Sequence, residues 1–373
     1  MTAPSPQRFL SLDIFRGITI AFMIMVNNRG PHSFKEMQHA EWHGFTLTDL
    51  VWPSFLFVMG AAMIYAKRKW ETMPQKDVIY KIIKRTVLIF LIGYLMNWFP
   101  FMKWDSNGEL HLLPISETRI LGVLQRIALC YGITALLVYY FSLRTLIILS
   151  AITLVGYWLL MAGYGNLDSK SANLHSVIDI AVLTPDHMYK LGARGYDPSG
   201  ILGTFPAVVN TIAGYICANY LSRNPKSFES LAKISMAGFA CISIAYLWNL
   251  VFPYNKNLWT SSFVMLTVGI DCLIYVCLIY IIDFLGHKKW TRFFDVFGKN
   301  PLFIYVFSSC LPGLYNLIPA PDGKPMWSHI YRNIFAPAFG DGLLASFLYC
   351  CFFMFLCWLM AWWMDRNKIY IKI

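Results

Sequence analysis

Residues 27–60 read NNRGPHSFKEMQHAEWHGFTLTDLVWPSFLFVMG. A polar loop carrying His32, His39 and His43 lies here between two apolar stretches, 10–28 and 47–66, each about long enough to cross a bilayer core as a helix. Asn27 and Asn28 close the first stretch and Asp49 opens the second. Ionisable side chains gathered at a membrane boundary are costly to keep there, which makes this loop the first candidate for chemistry.

The rest of the chain supports a membrane setting. Of its 373 residues 57% are apolar and 14% charged, where a soluble domain carries about 25% charge. Eight further apolar stretches, at 86–102, 119–141, 144–164, 200–222, 232–252, 258–284, 294–316 and 341–364, bring the expected spans to ten. The pattern is helical throughout, without the alternation of a barrel. The expected fold is all-α, a polytopic membrane helix bundle of about ten transmembrane helices. With no internal repeat or low-complexity linker, residues 1–373 read as one domain. No small-residue cleavage site follows the first apolar run, so it reads as a retained span. The nine cysteines all fall in apolar stretches, as small packing side chains, and predict no disulfide framework.

The net charge of +11 reflects topology and gives no reason to expect nucleic acid. With a cytoplasmic N-terminus, 18 Lys and Arg fall on that side, crowded into short loops such as 67–69 and 288–292, against 9 on the other. Both termini are therefore predicted cytoplasmic. Seven of the eight histidines, all but His287, then face outward, together with the long loops 29–46, 165–199 and 317–340.

Several residues are candidates for a site there, each with a structural alternative. His39 suits a general base or an acyl-accepting nucleophile, or a loop-fixing histidine. Asn27 or Asn28 offers an amide to a developing oxyanion, or a helix cap. Asp49 suits a helix cap ahead of Pro53, could orient a nearby histidine, and is also a candidate for the sugar-binding set. Asp13 and Arg16 fit a self-neutralising pair on one helix face. Arg126, with Gln125 beside it and Arg119 two turns earlier, lies deep in the fourth span. Its guanidinium suits a phosphate or carboxylate, or an ion pair with Asp271 in the eighth span. Asp186, His187 and Asp197 precede the sixth span among turn residues that suit sugar binding or simple loop capping. Asn300 and Pro301 interrupt the ninth span, and the freed backbone there needs partners. No phosphate-binding glycine loop, GxSxG, HExxH or paired CxxC occurs, and the histidines lack metal-ligand spacing.

Seven segments in order along the chain resemble the heparan-α-glucosaminide N-acetyltransferase family. They are SLDIFRG (11–17), HAEWHG (39–44), TDLVWPSFLFVMG (48–60), GVLQR (122–126), YDPSGILGT (196–204), NKNLW (255–259) and GKNPLFIY (298–305). His43 stands where the family pattern has asparagine, and the stretch between Asn27 and His39 is one residue longer, which leaves Asn28 as a second assignment. The resemblance implies transfer of acetyl from cytosolic acetyl-CoA, the co-substrate, to the amine of a glucosamine-type sugar across the bilayer. The family's catalytic histidine falls on His39 and its catalytic asparagine on Asn27. On this reading Arg126, Gln125 and Asn300 contact the donor, while Asp49, Asp186, His187 and Asp197 hold the sugar. The compact chain suggests a bacterial inner membrane, and the reading leaves room for a homodimer. Some bacterial relatives are labelled as N-acetylglucosamine-related transporters, so an amino-sugar permease is the alternative.

Overall fold

A computed structural model describes residues 9–104, 109–190, 195–223, 227–318 and 326–371. The loop charges at Arg8, Arg194, Lys226, Lys324 and Lys372 and the proline-containing head at 2–6 lie outside the described residues. The helices are α1 (Leu10–Asn27), α2 (Leu47–Trp70), α3 (Gln75–Trp98), α4 (Val123–Tyr140), α5 (Leu143–Tyr164), α6 (Leu174–Leu183) and α7 (Thr204–Arg223). They continue with α8 (Phe228–Asn249), α9 (Ser261–Leu278, extended by a wider turn to Phe284), α10 (Thr291–Lys299), α11 (Pro301–Leu317), α12 (Met326–Ile330), α13 (Ala336–Phe339) and α14 (Leu343–Arg366).

Local chemistry sets many of these boundaries. Ser142, Asn173 and Ser227 each accept an amide from the first turn of α5, α6 and α8. Pro301 opens α11, where its missing N–H costs nothing. Within α1, Arg16 pairs with Asp13 at 2.7 Å and donates Nε to the Gly298 carbonyl, so the pair crosses no apolar phase as two bare charges.

Among the described residues, seven helices are long and apolar enough to span a membrane: α1, α2, α4, α5, α8, α9 with its extension, and α14. The ten expected spans are thus only partly matched. Charged residues Lys76, Asp77, Lys81, Lys84 and Arg85 load the first half of α3, and polar Asn210, Thr211 and Asn219 dilute α7. The expected span 294–316 is two helices, α10 and α11, broken at Asn300. Two further expectations need correction. The chain is not helical throughout, because β1 (Met102–Trp104) and β2 (Leu110–Leu112) form an antiparallel pair with Lys103 opposite His111. The 165–199 loop contains α6, whose Asn173 cap and apolar face supply a helix too short to span.

Close backbone contact organises the centre. A methyl group at Gly60 of α2 would lie 1.8 Å from the Thr211 carbonyl of α7, and one at Gly214 of α7 would lie 1.9 Å from the Phe57 carbonyl of α2. Gly17 of α1 and Gly298 of α10 repeat the arrangement against Phe294 and Asp13. Without a hydrophobic drive between helices in lipid, such small-residue seams supply the packing. The outward faces of α5 and α8 are the reverse, carrying exposed Ile148, Ile152, Leu159, Met236, Phe239 and Leu247. Such faces suit a lipid solvent.

Hydrogen bonds between distant loops gather them into two sets. Trp42–Leu167, His43–Asn255, His32–Ser346 and Asn97–Arg119 bonds gather one set. Phe9–Tyr65, Gln75–Tyr140, Lys299–Asp365 and Asn300–Ile369 gather the other.

Candidate active site

The approach to α2 builds the site. Thr46 is the helix cap, and Asp49, three residues into the turn, reaches back to accept the Thr46 amide at 3.1 Å. Asp49 is therefore not the cap residue itself. The same oxygen, Oδ2, accepts the Ala40 amide at 3.1 Å and lies 2.9 Å from the Thr46 hydroxyl. The other, Oδ1, stands 2.7 Å from His39 Nδ1. A buried carboxylate at 1% exposure accepts and cannot donate, so the proton on this contact belongs to Nδ1. That choice leaves the Nε2 lone pair open, on a ring 44% exposed.

The loop that carries His39 is clipped on both flanks. Trp42 donates to the Leu167 carbonyl at 2.9 Å and meets Tyr196 edge-on at 4.9 Å. His43 bridges Asp168 at 2.9 Å and Asn255 at 3.4 Å, and the Gly44 amide donates to the Tyr254 carbonyl at 2.8 Å. Burial holds the His39 imidazole below its ordinary 6.5, with the Lys256 and Arg29 charges adding to it and the Asp49 hydrogen bond opposing it.

His39 lines a cavity of about 760 Å³ together with Asn27, Trp52, Arg119, Lys256 and Tyr305. A second cavity of about 640 Å³ begins beside the first and extends to the opposite end of the bundle. Met23 and Tyr305 line both and stand between them. The second cavity has apolar walls from Phe55, Met59, Ile92 and Leu124, and cations Arg16, Arg85 and Lys299 among its lining. Arg85 stacks on Tyr131 at 4.7 Å.

The expected site residues divide accordingly. Asn27 is exposed in the first cavity, whereas Asn28 is buried and turned back to the Ile24 carbonyl at 2.9 Å. Arg126, 1% exposed, lines neither cavity. Its guanidinium lies between Trp52 and Trp259 at 5.2 and 5.0 Å, and Nη2 donates to the Gly200 carbonyl at 2.7 Å. It does not pair with Asp271, whose carboxylate takes the Ser54 hydroxyl instead. Arg126 thus stands behind the Trp52 wall of the first cavity. Gln125 is fully buried at the α3–α4 seam, outside both cavities. The Asn300 amide is taken up by the chain end: it donates to the Ile369 carbonyl and accepts the Ile371 amide, both at 2.9 Å.

The expected sugar-binding group is also redistributed. Asp186 and His187 lie outside the cavity lining, because His187 is drawn to the Thr118 carbonyl at 2.9 Å. Asp197, at 0% exposure, is filled by Arg119, the Ser199 amide and the Tyr189 amide, leaving no oxygen for a sugar. It reaches the cavity only through Arg119. Below it, the close approach of Asp179 and His175 leaves no room for a side chain at Gly200. Sequence reasoning missed the second cavity, Tyr305 and Lys256. The lysine had one signal, its place between two asparagines in NKNLW.

The residues 8–248 match the family model described as heparan-alpha-glucosaminide N-acetyltransferase, catalytic. The chain is similar to the Homo sapiens heparan-alpha-glucosaminide N-acetyltransferase, at 28% identity over 92% of this chain and 59% of that protein. It is similar also to the Mus musculus protein of that name, at 26% identity over 90% of this chain and 58% of the other. The chain therefore spans less than two thirds of the length of these curated relatives.

Proposed function

The chain belongs to the heparan-alpha-glucosaminide N-acetyltransferase family, and from that premise we propose that it is a transmembrane N-acetyltransferase using acetyl-CoA and a glucosamine-type amine. The observation that carries this reading is the pair of adjacent cavities that share Met23 and Tyr305, with the His39–Asp49 pair at the first. The donor enters the second cavity from the cytoplasm. Its phosphates meet Arg16, Arg85 and Lys299, and its pantetheine arm lies along the apolar walls. The thioester reaches Met23 and Tyr305, and the sugar occupies the first cavity beside Asn27, Arg119 and His39. The charge asymmetry of the loops supports this orientation, in a bacterial inner membrane with His39 on the far side. One chain supplies both cavities, so the reading needs no second copy.

The reaction follows from what each group can do. The sugar amine attacks the thioester carbon, forming C–N as C–S breaks. His39 Nε2 takes the proton the amine loses, and Asp49 stabilises the imidazolium through Nδ1–H. The amide of Asn27 donates to the carbonyl oxygen as charge develops on it. A two-step route uses the same atoms: Nε2 attacks the thioester carbon, CoA leaves as the thiolate to give an acetylimidazolium, and the amine then takes the acetyl while its proton passes to the freed Nε2. Arg126 contributes a fixed positive charge behind Trp52.

The test is CoA release by the purified protein in detergent, given acetyl-CoA with and without glucosamine. Glucosamine-dependent release that disappears in His39→Ala, with unchanged size-exclusion behaviour, is expected. Absence of release with any amino sugar, together with saturable sugar uptake in proteoliposomes, would replace the enzyme with the permease alternative.

A further inference from the structure

Lys256 is the second charged group on His39. Its Nζ is 3.0 Å from Nδ1 and 3.1 Å from Nε2. A point equally near both ring nitrogens cannot lie in the ring plane without striking Cε1 or the ring carbons. The ammonium therefore stands over the imidazole face, leaving Nδ1 to Asp49 and the Nε2 lone pair free. It is also 3.7 Å from Asp49 Oδ1, and its side chain is only 14% exposed.

The turn that carries Lys256 is held rigidly in this position. The Asn255 amide donates to the Thr260 hydroxyl, and the Leu258 amide donates to Asn255 Oδ1. Trp259 occupies left-handed backbone at φ 57°, fixed by its Nε1 bond to Asn210 at 2.9 Å. The Gly44–Tyr254 bond and the His43–Asn255 contact dock this turn on the His39 loop. Lys256 lies beyond residues 8–248, the part of the chain that the family model matches.

We propose that Lys256 is a positioning residue for acetyl transfer, which acts through His39 by disfavouring the imidazolium and keeping Nε2 unprotonated below neutral pH. This inference rests on His39 being the reacting base. A cation over the ring raises the cost of adding a second one, while Asp49 in the ring plane lowers it. Among the described residues, the remaining charges that face or line this space are Arg29, Glu41, Arg119 and Lys170. Lys256 is the one whose nitrogen lies on the ring. Burial pushes its own ammonium down to about 8, with Asp49 opposing that shift, so it stays charged where His39 titrates.

The test reads His39 directly and needs no activity. Diethyl pyrocarbonate acylates only the unprotonated imidazole, and peptide mass spectrometry isolates the His39 adduct from those of the other histidines. Wild type and Lys256→Arg, in detergent without donor or acceptor, should show a reactivity midpoint below 6.5. In Lys256→Met the midpoint should rise, leaving His39 about tenfold less reactive at pH 5. The acid limb of kcat/KM for acetyl transfer should move with it. An unmoved midpoint in Lys256→Met overturns the proposal, and so does a wild-type midpoint at or above 6.5, which needs no variant to fold. A shifted midpoint in protein that transfers no acetyl would uphold the electrostatic role and remove the proposed reaction instead.

Discussion

Replacing Asp49 with asparagine should disable His39 by reversing its tautomer, with little loss of fold. The two carboxylate oxygens have different partners: Oδ1 faces His39 Nδ1, and Oδ2 accepts the Ala40 and Thr46 amides. An asparagine has one acceptor to divide between them. With its oxygen toward His39, its NH₂ group opposes two backbone N–H donors, each left unsatisfied at about 1–3 kcal/mol. With its oxygen toward the backbone, the NH₂ faces Nδ1, which satisfies it by becoming an acceptor. The second arrangement wins by at least about 2 kcal/mol, roughly 30-fold. It moves the imidazole proton to Nε2, where the base or nucleophile must be bare. The Thr46 hydroxyl can turn to the Gln38 carbonyl, 2.7 Å away, so it adds no penalty. We expect kcat for acetyl transfer to fall about 30-fold or more with KM for acetyl-CoA nearly unchanged, and stability to fall by about 1 kcal/mol from lost charge assistance. Folded Asp49→Asn protein working at the wild-type rate would refute the assignment of the Nδ1 proton and with it the role given to Asp49.

Asn27→Ala should lower kcat by about 10²–10³-fold as an oxyanion donor is lost, whereas Asn28→Ala should act on thermal stability, since its amide serves the Ile24 carbonyl; steady-state rates and melting curves separate the two. The rate should rise as the pH climbs from acid, with a midpoint below 6.5. The sign follows from a depressed imidazole pKa: the unprotonated form that reacts persists to lower pH than in a free histidine. Arg85→Ala should raise KM for acetyl-CoA several-fold with kcat held, read from initial rates, if the second cavity takes the donor. Gly60→Val should prevent monodisperse folding on size exclusion, because its side chain would meet the Thr211 carbonyl backbone, which cannot rotate away.

Much of the frame was legible because lipid allows so few solutions. Apolar stretch lengths located α1, α2, α4, α5, α8, α9 and α14. What the spacing could not give was depth. Asp197 reads as a free turn carboxylate until Arg119, 78 residues away in the chain, closes on it. Asn300 reads as a break in a span, and nothing local says that the chain end returns 69 residues later to use its amide. His39 was found because its loop is polar and its motif familiar. Its partner Lys256 is 217 residues away and entered the sequence reading only as one charge in a loop count and one letter of a motif. Both cavities are gaps between helices distant in sequence, and no local pattern encodes a gap.

The reciprocal glycine contacts between α2 and α7 also bear on how matter can cross this protein. A carrier that exposes one solute site alternately to each side needs two bodies that swing or slide past each other. At Gly60 and Gly214 the two backbones meet without side chains between them, so neither helix has a compliant layer on which to move. α2 runs from Asp49 at one end of the bundle to Lys67 and Arg68 at the other, and it is fastened midway to its neighbour. α2 and α7 are therefore one body that cannot part to open a path between them, and Met23 and Tyr305 stand between the two cavities. Under the proposed chemistry, the sugar and the nucleotide each stay on their own side, and the only cargo is a two-carbon acyl group handed through.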